Sequence, residues 1–144
     1  MAKPSMSALL DHASRIKNRN DRIQFLKNNY SKQLHEVLAF GYDPRIRWNL
    51  PLGPKVGDGD PPYKPLDSTE AGGNLYHDSR KLYLFVHREG DNLTDGRRQQ
   101  LFVNFLEGLD PDDAKLILSC ARKKIPYKGI DQKLIEEAFG EYNG

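Results

Sequence analysis

The sequence predicts an all-α fold: a single compact helical domain over residues 1–144, with about six to seven helices and a long Pro/Gly-rich internal loop at 43–73. Three observations carry that expectation. Apolar residues recur at helical spacing over most of the chain outside the loop, and no β-alternation competes with them. Ser, Thr, Asn or Asp precedes most of the apolar stripes, where a helix N-cap belongs. A chain of 144 residues, 38% apolar and 29% charged, is also long enough to bury a core of its own.

Ser5 or Ser7 caps a first helix running to about Asn18, with Leu9, Leu10, Ala13 and Ile16 on its apolar side. Asn20 or Asp21 starts a second, carrying Ile23, Leu26 and Tyr30. A third carries Leu34, Val37, Leu38 and Phe40 and is closed by Gly41, a residue common just past helix ends. These three are expected to form a scaffold. The loop that follows holds six prolines and five glycines, and a segment that long inside a small domain is functional, ordered by packing on the helices, or mobile. Arg45, Arg47 and Trp48 at its start could form a cationic and stacking surface, although Trp48 is read first as a core anchor.

Helical pattern resumes over Leu75 to Arg88, followed by a turn at Gly90 and Asn92. Thr94 caps the next helix, whose stripe is Leu101, Phe102, Phe105, Leu106 and Leu109. Arg97 and Arg98 are expected to sit exposed in its first turn, where cations oppose the helix dipole. Asp110, Pro111, Asp112 and Asp113 suit a helix start, and Ala114, Ile117, Leu118 and Ala121 give one apolar face. Arg122, Lys123 and Lys124 are placed in the last turn, Pro126 ends the helix, and Lys128-Gly129 bends the chain into a final helix. Four cations between Arg122 and Lys128, with no acid among them, surround a glycine at a helix start. That is a candidate phosphate grip.

The catalytic and metal classes find no support. His12, His35, His77 and His87 have no metal-pair spacing, and Cys120, the single cysteine, excludes an internal disulfide and a cysteine-based zinc site. Cys120 sits mid-helix and is read as inert. Asp58, Asp60 and Asp67 lack the spacing of a calcium loop. Lys55-Val56-Gly57-Asp58-Gly59 misses the K-x-D-G spacing of a nucleotidyltransferase lysine, and the strands of such an enzyme are not in sight. No enzyme, no metal and no cofactor are therefore expected. With no apolar run near the roughly 20 residues of a membrane span and no secretory signal, the expected compartment is the cytoplasm, that of the host if the chain is phage-encoded.

Net charge is only +2, but its distribution is uneven. Residues 1–50 hold nine Lys/Arg against four Asp/Glu, residues 51–96 five against eight, and the remainder eight of each, with the cations clustered at Arg97-Arg98 and Arg122 to Lys128. Local patches of that kind can bind phosphate even when the total charge is modest.

The segment RRQQLFVNFLEGLDPDDAKLILSCARKKIPYKGIDQKLIEEAFGEY resembles the all-helical DNA-binding domain that precedes the catalytic core of ATP-dependent DNA ligases of phage and eukaryotic type. An earlier echo is IQFLKNNYSKQLHEVLAFGYDPRIRWNLP, similar to the early helices of that domain and the aromatic-basic link after them. The run FVNFLEGLDPDDAKLIL, with its later lysines, proline and Lys128-Gly129-Ile130, also resembles small proteins of unassigned function in tailed phages. The ligase resemblance implies phosphate contacts along the minor groove from the Lys128-Gly129 turn, from Arg122, Lys123 and Lys124, and from the helix start at Thr94 to Arg98. Where that family has a cysteine-glycine turn, Pro126, Tyr127 and Lys128 stand, which leaves the turn geometry open. No nucleotidyltransferase or OB-fold domain is present, so this chain alone does not ligate.

The expectation is a non-catalytic binder of double-stranded DNA, accessory to phage replication or repair, that holds the phosphate backbone without reading sequence. Its candidate contacts are Arg45, Arg47, Arg97, Arg98, Arg122, Lys123, Lys124, Lys128 and Gly129. The competing expectation is an adaptor that docks on a replication, transcription or host protein, with Trp48, Tyr63 and Tyr76 around the long loop as its recognition surface.

Overall fold

A computed structural model describes residues 4–50, 62–65 and 74–142. Among these the chain forms seven α-helices: α1 (Met6–Arg15), α2 (Arg19–Asn28), α3 (Lys32–Tyr42), α4 (Leu75–Asp78), α5 (Asp95–Glu107), α6 (Pro111–Arg122) and α7 (Gln132–Phe139). A 3-10 segment, Ser79–Phe85, continues directly from α4. The all-α architecture is therefore as expected.

Capping explains where the helices begin. Ser5, Asn18, Ser31, Thr94, Asp110 and Asp131 each accept a hydrogen bond from a first-turn backbone N–H of the helix that follows. The second helix thus starts ahead of Asn20, because Asn18 supplies the cap. Helix α6 is the hub: α3, α1 and α5 all pack on it, while α2 pairs with α7. Leu10, Leu34, Leu38, Leu82, Phe85, Phe102, Leu106 and Ile117 are fully or almost fully buried in one continuous core. Full burial stabilises by roughly 1.5–3 kcal/mol for a side chain of this size.

Three local expectations are corrected. Gly41 does not stop α3, which runs on to Tyr42 with Asp43 as its C-cap. Gly41 is buried inside the helix, where a Cβ would run into Ile125 Cδ1 and lie 2.9 Å from Cys120 Sγ. Over 75–88 the chain makes one α-turn and a 3-10 segment, then an antiparallel bridge from Val86 to Trp48. And α6 stops at Arg122, well before Pro126, through a left-handed Lys123 at φ 59°. Lys123 N–H donates to the Cys120 carbonyl and Lys124 N–H to that of Ser119, the double bond of a Schellman cap. Lys123 and Lys124 therefore lie past the helix and not in its last turn.

Of the 43–73 loop, residues 43–50 and 62–65 are described and contain no helix. Lys64 N–H donates to Glu107 Oε2 at 2.8 Å, tying that piece to α5. The aspartates at 58, 60 and 67 and the Lys55 to Gly59 segment lie outside the described residues.

Candidate nucleic-acid interface

The C-terminal ends of α3 and α6 converge, and between them and the extended 46–50 segment lies an open groove of about 740 Å³. Sites of about 300–1,000 Å³ are the usual size for a bound small molecule. Arg47, Arg122, Lys123 and Lys124 line it, and among the described residues of the lining none is acidic. Ile46, Trp48 and Leu50 supply an apolar wall. That wall is held by two backbone hydrogen bonds across the Trp48–Val86 bridge, Asn49 N–H to Phe85 O and His87 N–H to Arg47 O, both 2.8 Å.

Trp48 anchors the wall to the core. Its Nε1 donates to the Phe40 carbonyl at 2.8 Å, and its ring meets Phe40 and Phe102 edge-on. The half-buried indole is thus a core anchor, as expected, that also borders the groove. The same Phe40 carbonyl accepts from Lys123 Nζ at 2.9 Å, and Lys123 Nζ also donates to Asp43 O at 2.9 Å. Much of Lys123 is exposed, yet its ammonium is turned inward onto carbonyls at the end of α3. Burial lowers its pKa, while the neighbouring Cys120 and Asp43 pull it back up. Lys123 therefore neutralises the negative end of a helix dipole before it can serve a ligand.

Cys120, directly beneath, is fully buried, donates weakly to Val37 O at 3.7 Å, and has its thiol pushed up to about 12 by burial. It is inert, as the sequence suggested. Among the described residues no cluster of His, Cys, Asp or Glu is arranged to hold a metal ion, and no helix is long and apolar enough to cross a membrane.

The remaining candidate contacts do not join the groove. Arg98 is 3% exposed, which overturns the expectation of an exposed first-turn cation. Its guanidinium donates to Asp91 Oδ2 at 2.7 Å, Asp95 Oδ1 at 2.9 Å and the Leu93 carbonyl at 3.0 Å, pinning the turn before α5 to the helix. Arg97 is exposed on the same helix and Thr94 caps its N–H. Arg45 grips Asp43 through Nε and Nη2, reaches Glu141 at 3.6 Å, and borders a separate cavity of about 230 Å³ between α3 and α7. The Arg45 guanidinium is the main reason the Asp43 carboxyl titrates below its ordinary value. Lys128 is exposed, and Gly129, at φ +76°, gives its carbonyl to Arg22 Nη1 at 3.3 Å.

Two features escaped the sequence reading. Arg22 braces α1 and the Lys128-Gly129 turn at once, through Ile16 O at 2.7 Å and the Gly129 carbonyl, and nothing in its local sequence marks that role. Ile46 and Leu50, the wall residues on either side of Trp48, do carry a signal: with Trp48 they alternate with Arg47 and Asn49 at the two-residue period of an extended strand. Five residues of alternation beside a Pro/Gly-rich stretch were enough to find them.

Residues 9–127 match a family of unknown function, DUF6433, and the chain belongs to it. No curated protein and no solved structure matches.

Proposed function

We propose that this DUF6433 member is a non-catalytic DNA-binding protein that holds the phosphate backbone without reading sequence, in a role accessory to phage DNA replication or repair. One observation supports it above the rest: Arg47, Arg122, Lys123 and Lys124, from two segments about 75 residues apart in the chain, line one groove, and among the described residues of its lining none is acidic. Cations gathered on a concave surface concentrate an anionic ligand there. The likeness to the ligase DNA-binding domain points the same way for Arg122, Lys123 and Lys124, three of the contacts it implied. These three lie at the C-terminal end of α6 and Arg47 in the extended segment after α3, while the start of α5 and the Lys128-Gly129 turn stay outside the groove.

Phosphate binding of this kind releases counterions, so affinity should fall linearly with salt on a log-log plot, by roughly 0.9 per phosphate contact on a duplex. Fluorescence anisotropy on a labelled duplex of arbitrary sequence measures that slope. Arg47→Glu with Lys124→Glu should flatten it by about two contacts and weaken binding by at least tenfold at low salt. Arg97→Glu, outside the groove, should change neither by a comparable amount. Wild-type affinity that is absent, or indifferent to salt, would sink the proposal.

A further inference from the structure

We infer that the groove seats an unpaired nucleotide, so that the preferred DNA carries a gap, flap or free single strand; this rests on the phosphate-binding reading above. Cations alone would suffice for a phosphate backbone, but the groove is not lined by cations alone. Ile46, Trp48 and Leu50 bring an apolar wall to the same cavity, across from Arg122, Lys123 and Lys124. A continuous duplex hides its base faces in the stack and presents phosphate and sugar, which leaves such a wall without a partner. An unpaired nucleotide offers what both sides require: a flat, weakly polar base for the wall and a phosphate for the cations.

The wall is also preorganised. The Trp48–Val86 bridge fixes its backbone, and the Trp48 Nε1 bond to Phe40 O fixes the indole. Ordering costs are therefore met in folding and not again on binding. Among the described residues no amide or carboxylate side chain lines the groove, so the pairs that commonly read adenine or cytosine edges are missing. An acidic peptide also combines anionic and apolar parts. It differs from a nucleotide in lacking a flat base, and the test separates the two.

Trp48 is the single tryptophan of the chain, so intrinsic fluorescence reports directly on the wall. The full-length protein would be titrated at one salt concentration with oligo(dT), a blunt duplex, a gapped duplex of equal length and poly-glutamate, following both affinity and Trp48 emission. Base stacking on a protein surface is worth about 1–3 kcal/mol per base, so oligo(dT) and the gapped duplex should bind about tenfold tighter than the blunt duplex and quench Trp48. Leu50→Ala should bring that ratio towards one. If the variant does not fold, the wild-type titrations decide alone.

Equal affinity for gapped and blunt duplex with unchanged Trp48 emission would overturn the inference and leave the phosphate reading standing. Poly-glutamate binding as tightly as oligo(dT), with the same quenching, would overturn it in favour of an acidic peptide. Salt-dependent binding to none of the DNA forms would remove both readings together.

Discussion

Lys123 shows how one residue can be both a structural cap and part of a binding groove. Among the described residues it alone, glycines apart, has a positive φ, 59°, a conformation that costs a non-glycine residue about 1–2 kcal/mol. The αL turn that ends α6 also aims the side chain at Phe40 O and Asp43 O, and those two bonds offset the strain. Lys123→Ala should keep the strain and lose both bonds, destabilising by about 1–3 kcal/mol. Lys123→Gly should lose the bonds but relieve the backbone, and so cost about 1 kcal/mol less. Urea midpoints in the order wild type, Gly, Ala test this; Gly at or below Ala would show that the left-handed conformation carries no strain. The basic run at 122–124 was legible in the sequence because charge is a property of residue type. That Lys123 spends its ammonium on carbonyls 80 and 83 positions away was not, since partners are set by the fold. Arg98 was misplaced for the same reason: a polar stretch before a helix does not disclose that Asp91 folds back onto it.

At the scale of elements, the α3–α6 contact decides the shape of the groove, and it depends on Gly41. Helix propensity alone favours Gly→Ala by about 1 kcal/mol inside a helix. At Gly41 packing outweighs propensity, because the new Cβ would meet Cys120 Sγ at 2.9 Å as well as Ile125 Cδ1. Gly41→Ala should destabilise by about 1–3 kcal/mol, the usual cost of overpacking, and should shift the C-terminal ends of α3 and α6 that border the groove. Gly96→Ala, in the first turn of α5 with nothing within 4 Å of its Cβ, should instead stabilise by about 0.4–1 kcal/mol. Thermal melts of the two variants would move in opposite directions; a melting point for Gly41→Ala at or above wild type would mean that α3 and α6 can separate without cost. The helices themselves were largely legible, because stripes such as Phe102, Phe105 and Leu106 follow the 3.6-residue period and their caps are polar. Gly41 was misread since a glycine near a helix end signals a stop and a close approach equally well. The 75–88 stretch was misread because apolar residues at helical spacing do not distinguish α from 3-10 geometry, and the bridge to Trp48 depends on a partner segment nearly forty residues earlier.

For the molecule as a whole, the C-terminal segment is held by α3 through one buried histidine. His35 is surrounded by Tyr30, Phe139 and Tyr142, with ring centroids 6.1, 5.4 and 5.2 Å away. Tyr142 completes the closure by donating to Glu36 Oε2 at 3.1 Å. Burial lowers the His35 pKa below its ordinary value of 6.5, with the polar Gly140 backbone opposing. The sign follows from linkage: as pH falls below 6.5 the unfolded chain takes up this proton before the folded one does, so the stability present above 6.5 is lost as pH falls through the folded value. Asp43 and Asp91 act in a separate, lower window, below 3.8, since both titrate under their ordinary value in the folded chain. Asp113 has the opposite sign: burial raises its pKa, so protonating it on the way down from neutral pH restores stability and partly masks the histidine. A substitution at His35 separates the two, because Asp113 is the same in both proteins. His35→Phe keeps an aromatic ring in the cluster and cannot titrate. The difference in urea midpoint between wild type and His35→Phe should therefore shift in favour of the variant as pH falls from 7 to 5. A difference that stays constant over that range would mean that His35 titrates alike in the folded and unfolded chains, and that the aromatic cluster over α3 is open to water.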